Sequence, residues 1–180
     1  GLTKSLCDVI HTTGRKIPLV LASSIQVDQN TPYGKSKLEA EQAVEGLANG
    51  TGNPVFIYRL PNVFGKWCKP NYNSVVATFC HNIANDIPIQ IKDESTKLNL
   101  VYVDDVVADF VRMILQEFKG IASPVVEPQY NITLGELADQ IMAFKNCRVN
   151  LISEQVGTGF VRVLYSTYVS YLKPEQFSYS

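Results

Sequence analysis

Several things are missing from these 180 residues, and each absence removes a class of function. No apolar run approaches the roughly 18 residues that span a bilayer, so no membrane association is expected. Charge of one sign is lacking too. Sixteen Lys and Arg stand against 17 Asp and Glu, for a formal net charge of -1, which leaves no basic field for nucleic acid and no polybasic patch for lipid. Cys7, Cys68, Cys80 and Cys147 are far apart, and His11 and His81 are the only histidines. Structural zinc needs four clustered ligands of these types, so no metal is expected. Widely spaced cysteines in a chain large enough for a core read as reduced thiols, hence a cytoplasmic protein. Gly1-Leu2-Thr3-Lys4 puts no charged segment before an apolar run, so these residues are not expected to be a signal peptide.

What is present alternates between strand and helix patterns, as in α/β folds with a parallel sheet. Leu2, Leu6, Val9 and Ile10 recur at helical spacing, with Gly14 placed to end the helix. Residues 17–22 form an apolar strand run leading into Ser23-Ser24. Thr31 caps a helix whose first turn holds Pro32, and the helix ends in a breaker run over 49–54. Residues 55–58 are the next strand, followed by a long loop over 61–73 and a helix from Ser74 to about Asn85. Residues 87–91 and 98–103 read as short strands. Asp104-Asp105 opens a helix, and residues 130–132 form another strand. Thr133 with Glu136 makes a capping box. Phe160, Leu164, Tyr168 and Leu172 mark a last helix, rich enough in aromatics to expect either a core role or a contact with something outside the chain.

Tyr33 and Lys37 stand four apart at the start of the second helix, which places them on one face. A phenol titrates near pH 10, and a neighbouring ammonium favours its ionised form, so such a pair exchanges a proton with a carbonyl or alcohol oxygen. The pair alone is weak evidence, because nine tyrosines throw up the spacing by chance. Ser23-Ser24 at the carboxyl end of the preceding strand strengthens it, since open α/β sheets bind ligands there. Arg59-Leu60-Pro61-Asn62-Val63-Phe64-Gly65 ends the following strand, and the two strand ends are expected to face one crevice.

With S-S-x-x, P-Y-G-K-S-K, R-x-x-N-V-F-G and Y-V-D-D-V-V in that order, residues 1 to about 150 resemble the extended short-chain dehydrogenases, the family of nucleotide-sugar epimerases, dehydratases and reductases. Within it, W-C-K-P-N-Y-N and Y-S-T-Y-V-S-Y-L are most similar to capsular-polysaccharide enzymes of the CapF type, which carry a reductase domain and then a cupin domain. The resemblance implies the C-terminal part of a Rossmann-like parallel sheet with flanking helices, plus a small substrate-binding subdomain. It implies catalysis by Ser24, Tyr33 and Lys37. Ser23, Lys37, Pro61, Asn62 and Val63 would hold NADP(H) or NAD(H). Gln26, Asn62, Lys66, Lys69, Asn71 and Asn73 would meet a UDP-sugar, with a solvated loop as the alternative for the last four. Asp104 and Asp105 read as helix capping residues rather than ligands. Dehydratases of the family follow the Ser24 position with Asp-Glu, whereas Ile25 and Gln26 supply no carboxylate, so dehydration is disfavoured. The implied reaction is reduction of a 4-keto UDP-deoxysugar in surface polysaccharide synthesis. A sugar epimerase or a non-catalytic relative is the alternative.

The chain departs from the family in one respect: no G-x-G-x-x-G occurs. That loop brings a dinucleotide pyrophosphate to a helix N-terminus. Residues 1–155 are therefore expected to be a partial domain without its first strands or adenosine site, binding dinucleotide weakly alone. Residues 156–180 are expected to be a tail helix and connector toward a further domain. Apolar edges on a half sheet lead us to expect a homodimer.

Overall fold

A computed structural model describes residues 1–150 and 157–177 and divides the chain into two compact units. The first comprises Gly1–Pro61 and Asp105–Glu127, and the second Asn62–Asp104 and Pro128–Ser180. The expected boundary at 155 and 156 lies outside the described residues.

In the first unit, α1 (Leu2–Thr13) ends at Gly14, whose φ of 66° is the left-handed C-terminal conformation. β1 (Leu19–Ser24) carries the chain directly into Ser24. A 3-10 turn (Ile25–Asp28) leads to α2 (Pro32–Thr51), where the Thr31 hydroxyl accepts from the Gly34 N–H and Pro32 occupies the first turn. β2 (Val55–Leu60) lies parallel between β1 and a two-residue strand, β3 (Ile121–Ala122). Four successive β2 residues, Val55 to Tyr58, are buried because both sheet faces are covered. Val55 and Ile57 pack with Cys7 and Ile10 of α1 and Val44, Leu47 and Ala48 of α2. On the other face, Phe56 meets Phe118 at 5.0 Å, and Tyr58 meets Phe110 at 4.6 Å. Phe110 belongs to α3 (Val103–Leu115), the helix expected from Asp104-Asp105.

The second unit has a mixed sheet. β4 (Asn62–Phe64) runs parallel to β5 (Lys97–Tyr102), which runs antiparallel to β6 (Gln129–Thr133). Helices α4 (Val75–Ala84), α5 (Leu134–Asn150) and α6 (Gly159–Val169) share one core with it. Phe64, Phe144, Leu164 and Tyr168 are buried there, so the aromatic stripe of the last helix faces a core. The capping box forms in both directions: Thr133 N–H donates to Glu136 at 2.8 Å and Glu136 N–H to Thr133 Oγ1 at 3.2 Å.

Three expectations need correction. The loop over 61–73 contains strand β4. Residues 87–91 are not a strand: Pro88 has no N–H for a ladder, and Ile89 and Ile91 pack on the core from an irregular segment. The two-residue β3 was not expected, because Ile121-Ala122 is too short to show a period. No helix among the described residues is long and apolar enough to cross a membrane.

Candidate active site

In the first unit, the carboxyl end of β1 and the start of α2 come together for a local reason. Gly34, between Tyr33 and Lys37, sits where an added Cβ would stand 2.4 Å from the Gln29 carbonyl oxygen and 2.7 Å from that of Gln26. No side chain fits, so the first turn of α2 lies flat on the segment that follows Ser24. Gln26 is thus part of the backbone floor under α2.

Tyr33 is 51% exposed, its ring standing at the helix start in reach of a ligand. The Lys37 ammonium lies 5.6 Å from the centroid of that ring and donates to the Ala22 carbonyl oxygen at 2.9 Å. One of its three protons is used there, and two remain for a ligand. Ser24 is buried in extended backbone, and its Oγ accepts from the Gln26 N–H at 3.2 Å. Its own hydroxyl proton is still available to an acceptor. A half-exposed phenol, an anchored ammonium and a serine hydroxyl at a parallel strand end can hold a carbonyl oxygen and give it a proton.

Ser23 points elsewhere. Its hydroxyl donates to Glu41 Oε1 at 2.5 Å, so its side chain is engaged within the protein. Glu41, which the sequence reading did not single out, is 2% exposed and also takes Arg59 Nε at 3.1 Å and Nη2 at 2.8 Å. Burial alone would raise the Glu41 pKa, but hydrogen bonds from Arg59 and Ser23 and the Arg59 charge outweigh it and hold the carboxyl below its ordinary value. Asp28 lies 3.7 Å from the outer side of Arg59. The available signal was spacing: Tyr33, Lys37 and Glu41 fall on one helical face, and an acid on a face that continues into Val44, Leu47 and Ala48 needs a partner. Pro61, at the end of this unit, is buried.

The second unit begins with the other predicted ligands. Asn62 is exposed, and its Nδ2 donates to the Asn99 carbonyl oxygen at 3.3 Å, which leaves its side-chain oxygen as an acceptor. Val63 is on the adjoining strand position. Lys66 pairs with Asp104 at 3.2 Å, and that hydrogen bond raises its pKa above the ordinary value. Asp104, in the first turn of α3, thus holds a lysine. The Lys66 and Lys69 ammonium groups lie 5.8 Å and 5.7 Å from the ring centroids of Trp67 and Tyr72, two strongly exposed aromatics. The loop that carries them is pinned. The Asn71 N–H donates to Thr78 Oγ1 at 2.9 Å, and the Tyr171 hydroxyl donates to the Cys68 carbonyl oxygen at 2.6 Å. Asn71 has φ 55°, and Asn73 is exposed.

Comparison with known proteins matches residues 3–132 to the family described as NAD dependent epimerase/dehydratase. A UDP-2-acetamido-2,6-beta-L-arabino-hexul-4-ose reductase of Pseudomonas aeruginosa is 51% identical over 178 residues, which is 99% of this chain and 48% of that protein. The capsular polysaccharide assembling protein CapF from Staphylococcus aureus superposes with a TM-score of 0.91 at 44% identity, over 99% of this chain and 50% of that one. The Thermus thermophilus UDP-glucose 4-epimerase, solved with NAD, shares the fold with a TM-score of 0.73 at 18% identity, over 94% of this chain and 68% of that one. The chain spans about half the length of the reductase and CapF relatives.

Proposed function

The chain belongs to the NAD dependent epimerase/dehydratase family, and on that premise we propose that it is the nicotinamide- and substrate-holding part of a cytoplasmic NADPH-dependent reductase. Its substrate is a 4-keto UDP-deoxysugar, a UDP-N-acetyl-deoxyhexosulose, used in capsular or surface polysaccharide synthesis. The observation that carries this reading is the Ser24, Tyr33 and Lys37 arrangement, with Lys37 anchored on Ala22 and Tyr33 left half-exposed. The 51% identity to a reductase of a 4-ulose UDP-sugar supports the substrate class.

In this reading Ser24 donates to the substrate ketone oxygen, and Tyr33 gives that oxygen its proton. NADPH, when bound, would supply the hydride that, with the proton from Tyr33, turns the ketone into an alcohol. For the nicotinamide half of such a cofactor, Lys37 keeps two protons for ribose hydroxyls, and Ser23, Pro61, Asn62 and Val63 would line the nicotinamide. The adenosine half has no G-x-G-x-x-G in these residues, so these 180 residues alone bind dinucleotide weakly. Gln26, Asn62, Lys66, Lys69, Asn71 and Asn73 serve the UDP-sugar, the lysines by charge on its diphosphate. A homodimer is supported by the exposed Leu2, Leu6 and Val9 on α1.

The test is NADPH oxidation by the full-length gene product given a 4-keto UDP-N-acetyl-deoxyhexosulose. The expected result is one NADPH consumed per 4-hydroxy sugar formed. Conversion of the sugar with no NADPH consumed would make the enzyme an epimerase and overturn the reading.

A further inference from the structure

Glu41 poses a physical question. Removing a carboxylate from water is costly, and apolar side chains of similar volume often replace a buried ion pair without loss of stability. Its neighbours Val44, Leu47 and Ala48 show that this stretch of α2 accepts apolar residues. Stability therefore does not explain the charge, and what a carboxylate adds is direction.

The direction is visible in the ladder. Ser23 and Arg59 are cross-strand partners in the β1–β2 register, one step from the Ser24–Leu60 pair. Glu41 grips both members of that pair at once, by 2.5 Å to the Ser23 hydroxyl and 2.8 Å and 3.1 Å to the Arg59 guanidinium. One helical turn earlier, Lys37 grips the Ala22 carbonyl at 2.9 Å. One turn before that stands Tyr33. The Tyr33, Lys37 and Glu41 face is thus fixed to Ala22 and Ser23, the two residues that lead into Ser24. An apolar side chain at position 41 would fill the same space, yet it would let α2 slide or rotate on the sheet.

We propose that Glu41, with Arg59 and Ser23, is a positioning device that sets the register between the helix carrying Tyr33 and Lys37 and the strand end carrying Ser24. This rests on the reading of Tyr33 as proton donor given above. Arg59 is half-exposed on its outer side next to Asp28, so it also links the 3-10 turn after Ser24 to the same point. None of the three is a catalytic residue; they act through Tyr33, Lys37 and Ser24.

The experiment uses the full-length gene product and three variants: Tyr33→Phe, the double variant Glu41→Met with Arg59→Met, and Glu41→Gln. The double variant removes both charges together, so no buried charge is left unpaired, and of the buried groups only the Ser23 hydroxyl loses its acceptor. A purely structural role predicts that, whatever melting temperature is lost, the folded double variant keeps the wild-type kcat. A positioning role predicts that the folded double variant loses kcat by about 10²-fold with KM for the UDP-sugar little changed, since small misplacements of reacting groups cost that much. Wild-type kcat in the double variant, with Tyr33→Phe inactive, would overturn the inference and leave the reading of the site intact. Full activity in Tyr33→Phe would overturn both, since there would be no proton donor to position. If the double variant does not fold, Glu41→Gln takes its place, because it keeps the shape and an acceptor for Ser23. A lowered kcat at unchanged KM supports the proposal there, and a wild-type kcat overturns it.

Discussion

Each of the two units has an interior of a different chemistry. The second unit is a hydrocarbon core: Phe64 packs on Tyr102 at 5.5 Å and Phe160 at 5.9 Å, and Phe144 packs on Tyr165 at 5.2 Å. Its buried polar side chains among the described residues are Asn82 and Thr167. The first unit buries Ser23, Ser24, Glu41 and Asn53 and keeps its apolar cluster smaller. Asn53 donates to the Arg15 and Ile17 carbonyl oxygens, both at 3.0 Å, and Tyr58 donates to Asp109 at 2.7 Å. Apolar packing is non-directional and tolerates repacking, whereas a hydrogen-bonded network fixes where each atom sits. The unit that carries the proposed catalytic groups is the one held by directional bonds.

Substitutions can break that contrast. The largest effect is expected from Tyr33→Phe, which removes the proposed proton donor and should lower kcat by about 10²- to 10⁴-fold while both units melt as before, as thermal unfolding beside steady-state rates would show. Phe144→Ala, fully buried in the second unit, should cost about 3–5 kcal/mol in denaturant unfolding. Asn53→Ala strands two carbonyls of the first unit and should cost about 1–3 kcal/mol on the same measurement.

A pH dependence sharpens the contrast further. The folded pKa of Glu41 lies below its ordinary value of 4.5, so its contribution is complete above that value and is lost as pH falls through the folded pKa. Acid should therefore loosen the first unit at a buried site, and Glu41→Gln should flatten the acid limb of a stability curve. In the second unit the lowered carboxyls, Asp93 and Glu136, are exposed, so the same titration should move it less.

The same division explains what could be read in advance. Local signals were legible: Thr31 and Pro32 start α2, Gly14 ends α1, Thr133 and Glu136 cap α5, and the Tyr33 to Lys37 spacing sits in the first turns of its helix. Partnerships set by sheet register were not. Glu41 meets Ser23 and Arg59 across 18 residues in each direction, and only the parallel alignment of β1 with β2 brings them together. Strand β4 was hidden because three residues show no period, and its partner β5 lies more than thirty residues on in the chain. Residues 87–91 misled in the opposite sense: Ile-Pro-Ile-Gln-Ile alternates like a strand, while Pro88 denies it a ladder. Gly34 was visible as a letter, but its reason, two carbonyls under the helix start, appears only in three dimensions.

The central claim, that Tyr33 and its neighbours serve the reduction of a keto sugar, is tested most directly with NADPH deuterated at nicotinamide C4. The full-length gene product is given this cofactor and a 4-keto UDP-N-acetyl-deoxyhexosulose, and the product is analysed by NMR. Deuterium at C4 of the sugar, formed at least about 10²-fold more slowly when Tyr33→Phe replaces the wild type, is the predicted result. Sugar converted without deuterium, or labelled equally well by the Tyr33→Phe variant, would contradict it.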